Sequence, residues 1–497
     1  MSGPRFLDLF VWEWRQVGRS RLLWLVLAIL SASFMWGALN TSALHKGQNA
    51  ALERARAADI AWEARTAQLA RDFRGPVTQA NGQVAYWQDS TNIGGYSEYF
   101  VRKTALKPHL PLSPLAVGVS DLAPSRLEIK LNTPFGFADS YDFENPRGLA
   151  LGRFDLAFAT VFVLPIGLLL LFALLVTFEK DRGMLRLVAA QAAGPRLWIG
   201  TRMAAILAWV APAVLLSIVI ALVVAGVPIG AVTGALATAL LLTLLYMLFW
   251  SGIALLVLGG QPGAGTALGL FAAIWAGITI GLPLAGSALV GALDPAPSSI
   301  GYVDAQRRTN DAIQADATSI ITRAMEARAD LRPHVDRIAT IDHATKLSFL
   351  VPETERRLAS LKGEIENHRV RQEATARSAG YLIPPLGLES ALATLAGTDP
   401  ARQRAFEAQA RSYQHRLREL VQPLVQQRIT LPPAPEERAT RGVLDLPQPP
   451  SLPSFTESER ASSAMIGSVL PFAGWLFILA AFAIGLGLWR IRSWKVI

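Results

Sequence analysis

TFEKDRGMLRLVAAQAAGPRLWIGTR, residues 177–202, is a short charged segment between two long apolar stretches. The stretch before it, Phe154 to Val176, is nearly free of charge, and no Asp, Glu, Lys, Arg or His occurs between Arg202 and Asp294. Apolar stretches of this length are typical of membrane-spanning helices, inside which charged side chains are costly. We therefore expect residues 178–202 to form a loop at a membrane surface, where they face a soluble partner.

The composition favours a membrane protein over a soluble one. The 497 residues are 52% hydrophobic and 17% charged, and the mean hydropathy is +0.32. These values suit a polytopic membrane protein that also carries sizeable soluble parts. The chain contains no cysteine, which excludes disulfides, thiolate catalysis and Cys-based metal sites.

Six apolar stretches are long enough to cross a bilayer at about 20 residues per helix. The expected spans occupy residues 22–40, 154–177, 203–293 (three helices) and 465–489. Residues 41–153 and 294–464 are then two large insertions outside the bilayer. The predicted fold class is a polytopic α-helical membrane protein with six transmembrane helices and two extracytoplasmic domains, one mixed α/β and one mainly α-helical.

The distribution of Lys and Arg predicts the orientation. Met1 to Arg21 carries a net charge of +2, Phe178 to Arg202 carries +3, and the tail Arg490 to Ile497 carries +3. The much longer insertions carry only +2 (Thr41 to Arg153) and 0 (Asp294 to Arg460). Short positive segments stay on the cytoplasmic side, so both termini are expected there. The basic pI therefore reflects the membrane topology. The sequence has no basic face interleaved with aromatic residues, which argues against nucleic-acid binding.

Residues 1–21 are expected to contain an amphipathic helix on the inner membrane surface. Its apolar side would consist of Phe6, Leu7, Phe10, Val11, Trp14 and Val17. Its polar side would consist of Asp8, Arg15, Gln16 and Arg19. Aromatic residues opposite arginines are typical of interfacial helices. The alternative is that this segment simply extends the first span.

The first insertion begins with a stretch that is compatible with a helix, Ala43 to Arg74, which would continue the first span outward until Gly75 and Pro76 stop it. The rest of this insertion, up to Arg153, is rich in Gly, Pro, Asn and aromatic residues and contains short alternating pieces such as Arg126 to Leu131. This pattern predicts a small domain of strands and loops.

The second insertion shows helical periodicity. Two sets of apolar residues keep a 4,3 spacing: Ile313, Ala317, Ile320, Ala324, Ala327 and Leu331, and then Phe406, Ala410, Tyr413, Leu417, Leu420 and Leu424. Between them, Leu358, Leu361 and Ile365 indicate another helix. The proline-rich stretch Leu431 to Pro453 is expected to be an extended linker that leads to the last span.

Motifs for common enzyme chemistry are missing from the sequence. There is no G-x-x-x-x-G-K-[ST] phosphate loop, since the nearest candidate, Gly260 to Thr266, has no lysine. The H-E-x-x-H and G-x-S-x-G motifs are also missing. The six histidines lie in the two insertions without close ligand spacing, which favours solvated surface positions over metal ligation. They are His45, His109, His334, His343, His368 and His415. We therefore expect no catalytic residues and no metal in this chain.

Energy for any transport would have to come from a partner. Ion-coupled transporters usually place charged residues within the bilayer, and the later spans have none. Those spans are instead rich in small residues, such as Gly265 and Gly269, which are expected to permit close helix packing.

The order of these segments resembles an ABC-2-type exporter permease over the whole chain. The features that carry the resemblance are the N-terminal helix, the two insertions and the charged loop after the second span. The layout is similar to the gliding-motility and nitrous-oxide-reductase-maturation permeases. The run from Ala105 to Pro124, ALKPHLPLSPLAVGVSDLAP, resembles a segment of that group.

The resemblance implies that residues 178–202 are a cytoplasmic coupling loop that docks on a nucleotide-binding subunit. In such permeases this loop opens with an acidic residue followed shortly by glycine, which correspond here to Glu179 and Gly183, accompanied by Lys180, Arg182 and Arg186. The alternative is that these charges only set the topology.

The resemblance further implies that ATP and Mg are bound by a separate ABC ATPase subunit, and that a second permease copy or a sister permease completes the transporter. It places the chain in the bacterial inner membrane, with room for a periplasmic or outer-membrane partner protein. The alternative function is a membrane-anchored extracytoplasmic binding or scaffold protein without transport activity. A neighbouring gene for an ATPase would favour the exporter.

Overall fold

The computed structural model describes residues 6–74, 86–135, 153–181, 195–430 and 450–491. Within these ranges, six helices are long and apolar enough to cross a membrane, which confirms the expected number of spans. These spans are Arg21–Asp72, Leu156–Thr177, Leu197–Val224, Thr233–Leu258, Ala264–Leu293 and Ser462–Arg490. The chain is thus a multi-pass, mainly α-helical membrane protein.

The helices that form and flank the spans are mostly long. They are α1 (Phe6–Gly18), α2 (Arg21–Arg74), α3 (Leu164–Asp181), α4 (Pro195–Val224), α5 (Thr233–Leu258), α6 (Ala264–Ala276), α7 (Leu282–Leu293) and α13 (Ser462–Arg490). The second span begins with the helical turns Leu156–Phe158 and Ala159–Val163 before α3, and the turn Gly277–Gly281 joins α6 to α7 in the fifth span.

Nearly all of the remaining elements belong to the insertions. The longer ones are strands β1 (Arg102–Leu106) and β2 (Arg126–Lys130), the helices α8 (Ser299–Ala315), α9 (Ala317–Glu326), α10 (His343–Leu382), α11 (Pro384–Ala396) and α12 (Pro400–Gln427), and the 3-10 helix Arg332–Thr340. Short helical turns at Tyr86–Gln88, Ile93–Gly95, Tyr96–Phe100, Ser113–Leu115 and Arg428–Thr430 also lie in the insertions, and one at Ile229–Ala231 lies between α4 and α5. We call the end of the bundle that carries these elements the insertion end, and the opposite end, which carries residues 178–202, the loop end.

The first span is part of a single 54-residue helix, α2. At 1.5 Å per residue this helix is about 80 Å long, whereas the hydrocarbon core of a bilayer is about 30 Å thick. More than half of α2 therefore projects beyond the bilayer. The helix is described up to Arg74, so the expected continuation of the first span is confirmed, whereas the expected stop at Gly75 and Pro76 lies outside the described residues.

The fourth and sixth spans, α5 and α13, pack closely through glycine. A Cβ atom added at Gly252 of α5 would lie 2.6 Å from the Cβ of Ala483 in α13, and one added at Gly487 would collide with Leu255. Glycine is needed here because the two backbones approach each other. In contrast, a Cβ atom added at Gly265 or Gly269 would have no neighbour within 4 Å, so these two glycines make no such close contact within the single chain.

The two insertions share one hydrophobic core. β1 and β2 pair antiparallel, with Arg102 opposite Lys130. The buried side of this hairpin packs with α12, because Ala105 and Ile129 belong to the same cluster as Tyr413. The free edge of β1 is bound by α2, since Asp59 accepts a hydrogen bond from the backbone N–H of Thr104 at 2.8 Å. The first insertion is therefore held between α2 and α12.

The apolar 4,3 patterns locate the buried residues but not every helix boundary. The first pattern crosses a break at Asp316, where α8 ends and α9 begins, although Ile313, Ile320 and Leu331 still lie in one small core. In α12 the buried side shifts along the helix, so that Leu420 is 49% exposed while Val421 is fully buried. An ideal helix drifts by about 20° per heptad relative to a seven-residue repeat, which explains this shift.

Helix α11 belongs to the bundle and not to the outer surface of the second insertion. Its residues Leu388, Leu392 and Leu395 are buried in the same cluster as the side chains of the spans. Next to it, the indole N–H of Trp475 donates a hydrogen bond to the carbonyl oxygen of Tyr381 at 2.5 Å. Trp475 lies 13 residues into α13, which corresponds to about 20 Å of helix. The end of α10 and all of α11 thus reach into the depth of the spans.

The naturally cysteine-free chain allows a direct test of the predicted orientation. Single cysteines at Arg56 and Glu419, whose side chains are 66% and 65% exposed at the insertion end, should react with an impermeant maleimide added to intact cells. A cysteine at Gln16, exposed in α1, should react only after the membrane is permeabilised. The reverse labelling pattern would contradict cytoplasmic termini.

Candidate functional site

The loop residues implied by the resemblance lie at the limit of what the structure describes. Glu179 and Lys180 fall in the last turn of α3, where the structure describes the helix but not the side chains. Arg182, Gly183 and Arg186 lie outside the described residues. What the structure does describe is the base of this loop: α3 ends at Asp181, and α4 begins at Pro195. Proline is favoured in the first turn of a helix, where its missing N–H costs nothing.

A buried ion pair ties three elements together at this base. Arg202 of α4 bonds the carboxylate of Glu13 in α1, and its Nε donates to the carbonyl oxygen of Leu175 in α3 at 3.1 Å. The two charged side chains are only 5% and 0% exposed. Two charges taken out of water are tolerated only when they are paired and hydrogen-bonded. The pair therefore fixes α1 to the second and third spans where they meet residues 178–202.

Aromatic packing reinforces this connection. The rings of Trp14 and Trp209 stack with centroids 4.9 Å apart, and the indole N–H of Trp209 donates to the carbonyl oxygen of Trp14 at 2.9 Å. Trp24 meets Trp209 edge-on at 5.5 Å. A Cβ atom at Gly18 would lie 2.8 Å from the Trp209 ring, so only glycine fits there. We call α1, Trp209 and the Glu13–Arg202 pair the loop-end clamp.

The expected N-terminal helix is confirmed over Phe6–Gly18, and the structure adds which of its residues pack against the rest of the chain. The residues that α1 buries are Glu13 and Val17, whereas Phe6, Leu7 and Val11 are 49%, 69% and 44% exposed. An exposed apolar side suits a helix that lies in a lipid surface. The sequence pattern places Glu13 on neither the apolar nor the polar side of this helix. The residue is a single carboxylate between two tryptophans, Trp12 and Trp14.

The run from Ala105 to Pro124 is a junction at the insertion end. The backbone N–H of Val117 donates to the carboxylate of Asp155 at 2.7 Å, and the same carboxylate caps the second span. The N–H of Val119 donates to the carbonyl oxygen of Thr398, which precedes α12, at 2.9 Å. Gln48 of α2 donates to the carbonyl oxygen of Ser120 at 2.8 Å. This run therefore contacts the first span, the second span and the second insertion.

Gly118, within this run, has a positive φ of 52°. A Cβ atom there would collide with the carbonyl oxygen of Thr398. Both the left-handed backbone and the close approach require glycine. The close contact between the two insertions therefore requires glycine at position 118.

A buried cluster of charged residues lies beside the junction. Arg402 donates to the carboxylate of Glu457 at 2.9 and 3.1 Å and to the carbonyl oxygen of Pro108 at 2.7 Å, and Lys107 bonds Gln403. Burial, followed by the charge of Arg402, lowers the pKa of Lys107 to about 8. Burial raises the pKa of Glu457, and Arg402 opposes that shift. The cluster joins the first insertion, α12 and the segment that leads to the sixth span.

The expected solvated surface position is confirmed for His343 and His415, which are 60% and 73% exposed, but it is wrong for His45 and His368. His45 and His109 stack with ring centroids 3.9 Å apart, and His45 is only 4% exposed. His368 is 3% exposed, with its Nδ1 3.3 Å from the carboxylate of Asp294. Burial, assisted by His45 and Lys107, lowers the pKa of His109 to about 2, which keeps its ring neutral at physiological pH. The positive charge of Lys107 beside the stacked rings of His45 and His109 disfavours the binding of a cation there.

One family model matches part of the chain. A domain of unknown function, DUF3526, matches residues 303–433. This region begins in α8 and ends just after α12, so it includes both α11 and the charged start of α12. Comparison with curated proteins and with solved structures returns no match.

Breaking the loop-end clamp should destabilise the protein strongly. Glu13→Ala leaves Arg202 without its carboxylate, which we expect to lower the free energy of unfolding by about 3 to 5 kcal/mol. The matched control is Asp8→Ala, which removes an exposed carboxylate from the same helix and should change stability by less than about 0.5 kcal/mol. Thermal unfolding in detergent measures both, and equal stability of the two variants would contradict the role assigned to the pair.

Proposed function

We propose that this chain is the membrane-spanning permease subunit of an ATP-driven ABC-2-type exporter, in which ATP and Mg are bound by a separate subunit. The observation that carries the proposal is the loop-end clamp. It gathers α1, the second span and the third span around the base of residues 178–202. A partner that docks on this loop would move all three elements together, and packed helices transmit such rigid-body motion well.

The path of this motion runs through contacts that reach the other end of the bundle. Ser217 in the third span bonds Ser31 in α2 at 2.8 Å, and α2 continues to the insertion end as one helix. The second span begins at Asp155, which binds the run from Ala105 to Pro124. A shift of the second or third span at the loop end would therefore displace the junction between the insertions.

The proposed orientation determines the end at which ATP acts, and the resemblance to exporter permeases supplies the outward direction of transport. If the loop end is cytoplasmic, with both termini in the cytoplasm of a bacterial cell, ATP acts at that end and the insertions lie on the other side of the inner membrane. The insertions would then receive the substrate, or bind a periplasmic or outer-membrane partner that takes it onward. The chain itself supplies helices and docking surfaces, and the chemistry of hydrolysis belongs to the other subunit.

A second copy of the chain, or a sister permease, would complete the transporter along the fifth span. Within an 18-residue apolar stretch of each span, only 17% of the fifth span is buried, against 33% to 67% for the other five. Gly265, Gly269 and Gly286 on it have nothing within 4 Å of a Cβ position. Small residues let two membrane helices approach closely, so this open surface suits another helix bundle.

The alternative function is a membrane-anchored binding or scaffold protein without transport activity. The observation that favours it is the location of the family match, residues 303–433, which begins after the fifth span and ends before the sixth. A binding protein would need the insertions but not a docking loop at the opposite end. Copurification of an ATPase separates the two functions.

Substitutions in the loop test the docking role. Glu179→Ala with Arg182→Ala, or Gly183→Trp alone, should leave folding intact while the ATPase subunit is lost from the purified complex. Truncating one member of a desolvated charged pair costs about 2 to 5 kcal/mol of binding free energy, which lowers affinity by one to several orders of magnitude.

The matched control for this test is Asp8→Ala with Arg15→Ala, which removes one acid and one base that are both exposed in α1 at the same end. This variant should retain the ATPase and its turnover in reconstituted membranes. If the loop variants fold correctly and retain both at wild-type levels, residues 178–202 only set the topology, and the exporter proposal loses its support.

Cysteine cross-linking tests the proposed dimer surface. In the cysteine-free background, Gly269→Cys should form a disulfide-linked dimer on oxidation, because the fifth spans of two copies would face each other. Gly485→Cys in the sixth span also has open space around it and should remain monomeric. Cross-linking of Gly485→Cys but not of Gly269→Cys would place the dimer surface elsewhere.

A further inference from the structure

A cleft runs between α10, α11 and the sixth span at the insertion end. Its outer part is a groove of about 740 Å³ between the run Val119–Pro124 and α10, and its inner part is a pit of about 120 Å³ against α13. The two parts share the side chains of Arg377, Ser390, Thr394 and Asp399. The cleft therefore leads continuously from the insertions to the surface of a membrane-spanning helix.

The floor of the pit lies at the depth of the spans. It is formed by Val469 and Phe472, which lie about 10 to 15 Å along α13 from its start at Ser462. Gly387 of α11 is in such close contact with the Phe472 ring that a Cβ atom would collide with it. Beside the cleft, Leu382 at the end of α10 is 80% exposed. An apolar side chain this exposed at this depth is surrounded by lipid.

The charges in the cleft leave an excess of one positive charge. Three arginines, Arg377, Arg404 and Arg460, stand against two carboxylates, Glu373 and Asp399. The single carboxylate of Glu373 is shared, since it accepts hydrogen bonds from both Arg377 and Arg404. At the outer rim, Arg369 and Glu407 are paired at 4.0 Å and cancel each other.

Two of the charged groups, Asp399 and Arg460, lie together at the pit. Arg460, directly before the sixth span, donates no side-chain hydrogen bond to any other residue that the structure describes. Asp399, the capping residue at the start of α12, is only 7% exposed. Arg460 is close enough to lower the pKa of Asp399, against the larger opposing effect of burial. A buried carboxylate and a free guanidinium thus face one small pit.

We infer that this cleft binds the headgroup of an anionic phospholipid, with its phosphate between Arg377 and Arg460 and its acyl chains along the exposed apolar side of the sixth span. Arginine matches phosphate oxygens with paired N–H donors. Basic pockets between membrane helices bind lipid headgroups in this way. Leu470 and Phe477, 49% and 58% exposed on α13, provide apolar surface for the chains. Asp399 accepts a hydrogen bond from a headgroup hydroxyl.

Native mass spectrometry of the full-length protein in mixed micelles tests this inference. The probes are phosphatidylglycerol and phosphatidylethanolamine with identical acyl chains, so that they differ in headgroup alone. We expect phosphatidylglycerol to bind at least about tenfold more tightly, because it carries the negative charge that the cleft lacks. Equal affinity for the two lipids would overturn the inference. So would displacement by millimolar inorganic phosphate, because the acyl chains would then contribute nothing.

Variants locate the binding to this cleft. Arg377→Gln with Arg460→Gln should weaken phosphatidylglycerol binding at least about tenfold, while Arg356→Gln, which removes a 73% exposed arginine from the same helix α10, should not. Ser390→Trp, at an exposed position shared by both parts of the cleft, should block binding without removing a charge. Wild-type lipid affinity in both cleft variants, each with a wild-type melting temperature, would refute the site.

Discussion

The exclusion of charge from the middle of the chain is the constraint on which the rest of the structure depends. From residue 203 to residue 293 the chain has no Asp, Glu, Lys, Arg or His, since an unpaired charge in a bilayer is costly. The buried ion pairs described above are therefore made at the two ends of the bundle. At each end the structure buries a few charges in pairs: Glu13 with Arg202 at the loop end, and Arg402 with Glu457 at the insertion end. Such pairs are strongly destabilising to break, so they hold their elements in one arrangement.

These two sets of pairs are joined by continuous helices. α2 extends from the loop end to the insertions without interruption, and the second span connects Leu175, which binds Arg202, to Asp155, which binds the junction. α11 adds a third connection, because it inserts residues of the second insertion between the spans. The bundle and the insertions thus share elements, and an event at one end has a physical route to the other.

Periodicity and hydropathy were sufficient to predict the large elements. The six spans, the extension of α2 beyond the first span and the strand at Arg126 each follow from local features: length, helix-compatible composition and alternation. The histidine stack and the buried side of α1 could not be predicted in this way. Periodicity shows which side of a helix is apolar, but the partner of Glu13 lies 189 residues away, and nothing local in the sequence identifies it.

Helix α11 illustrates the same limit. Its 13 residues are too few to span a bilayer, which needs about 20, and a short apolar stretch inside a polar insertion is typical of a soluble core helix. Only the packing of Leu388 and Leu392 against the spans reveals its depth. For the predicted loop residues, the sequence and its resemblance carry the argument, while the structure adds the clamp at the base of the loop.

The central claim is that residues 178–202 dock on a subunit that hydrolyses ATP. The most direct measurement places a single photo-reactive label at Gln191→Cys in the cysteine-free chain and identifies the cross-linked protein from native membranes by mass spectrometry. The account predicts one separate partner with a phosphate-binding loop, whose ATP turnover is retained in the purified complex. Cross-links only to this chain or to lipid, in membranes from cells that express all native partners, would contradict it.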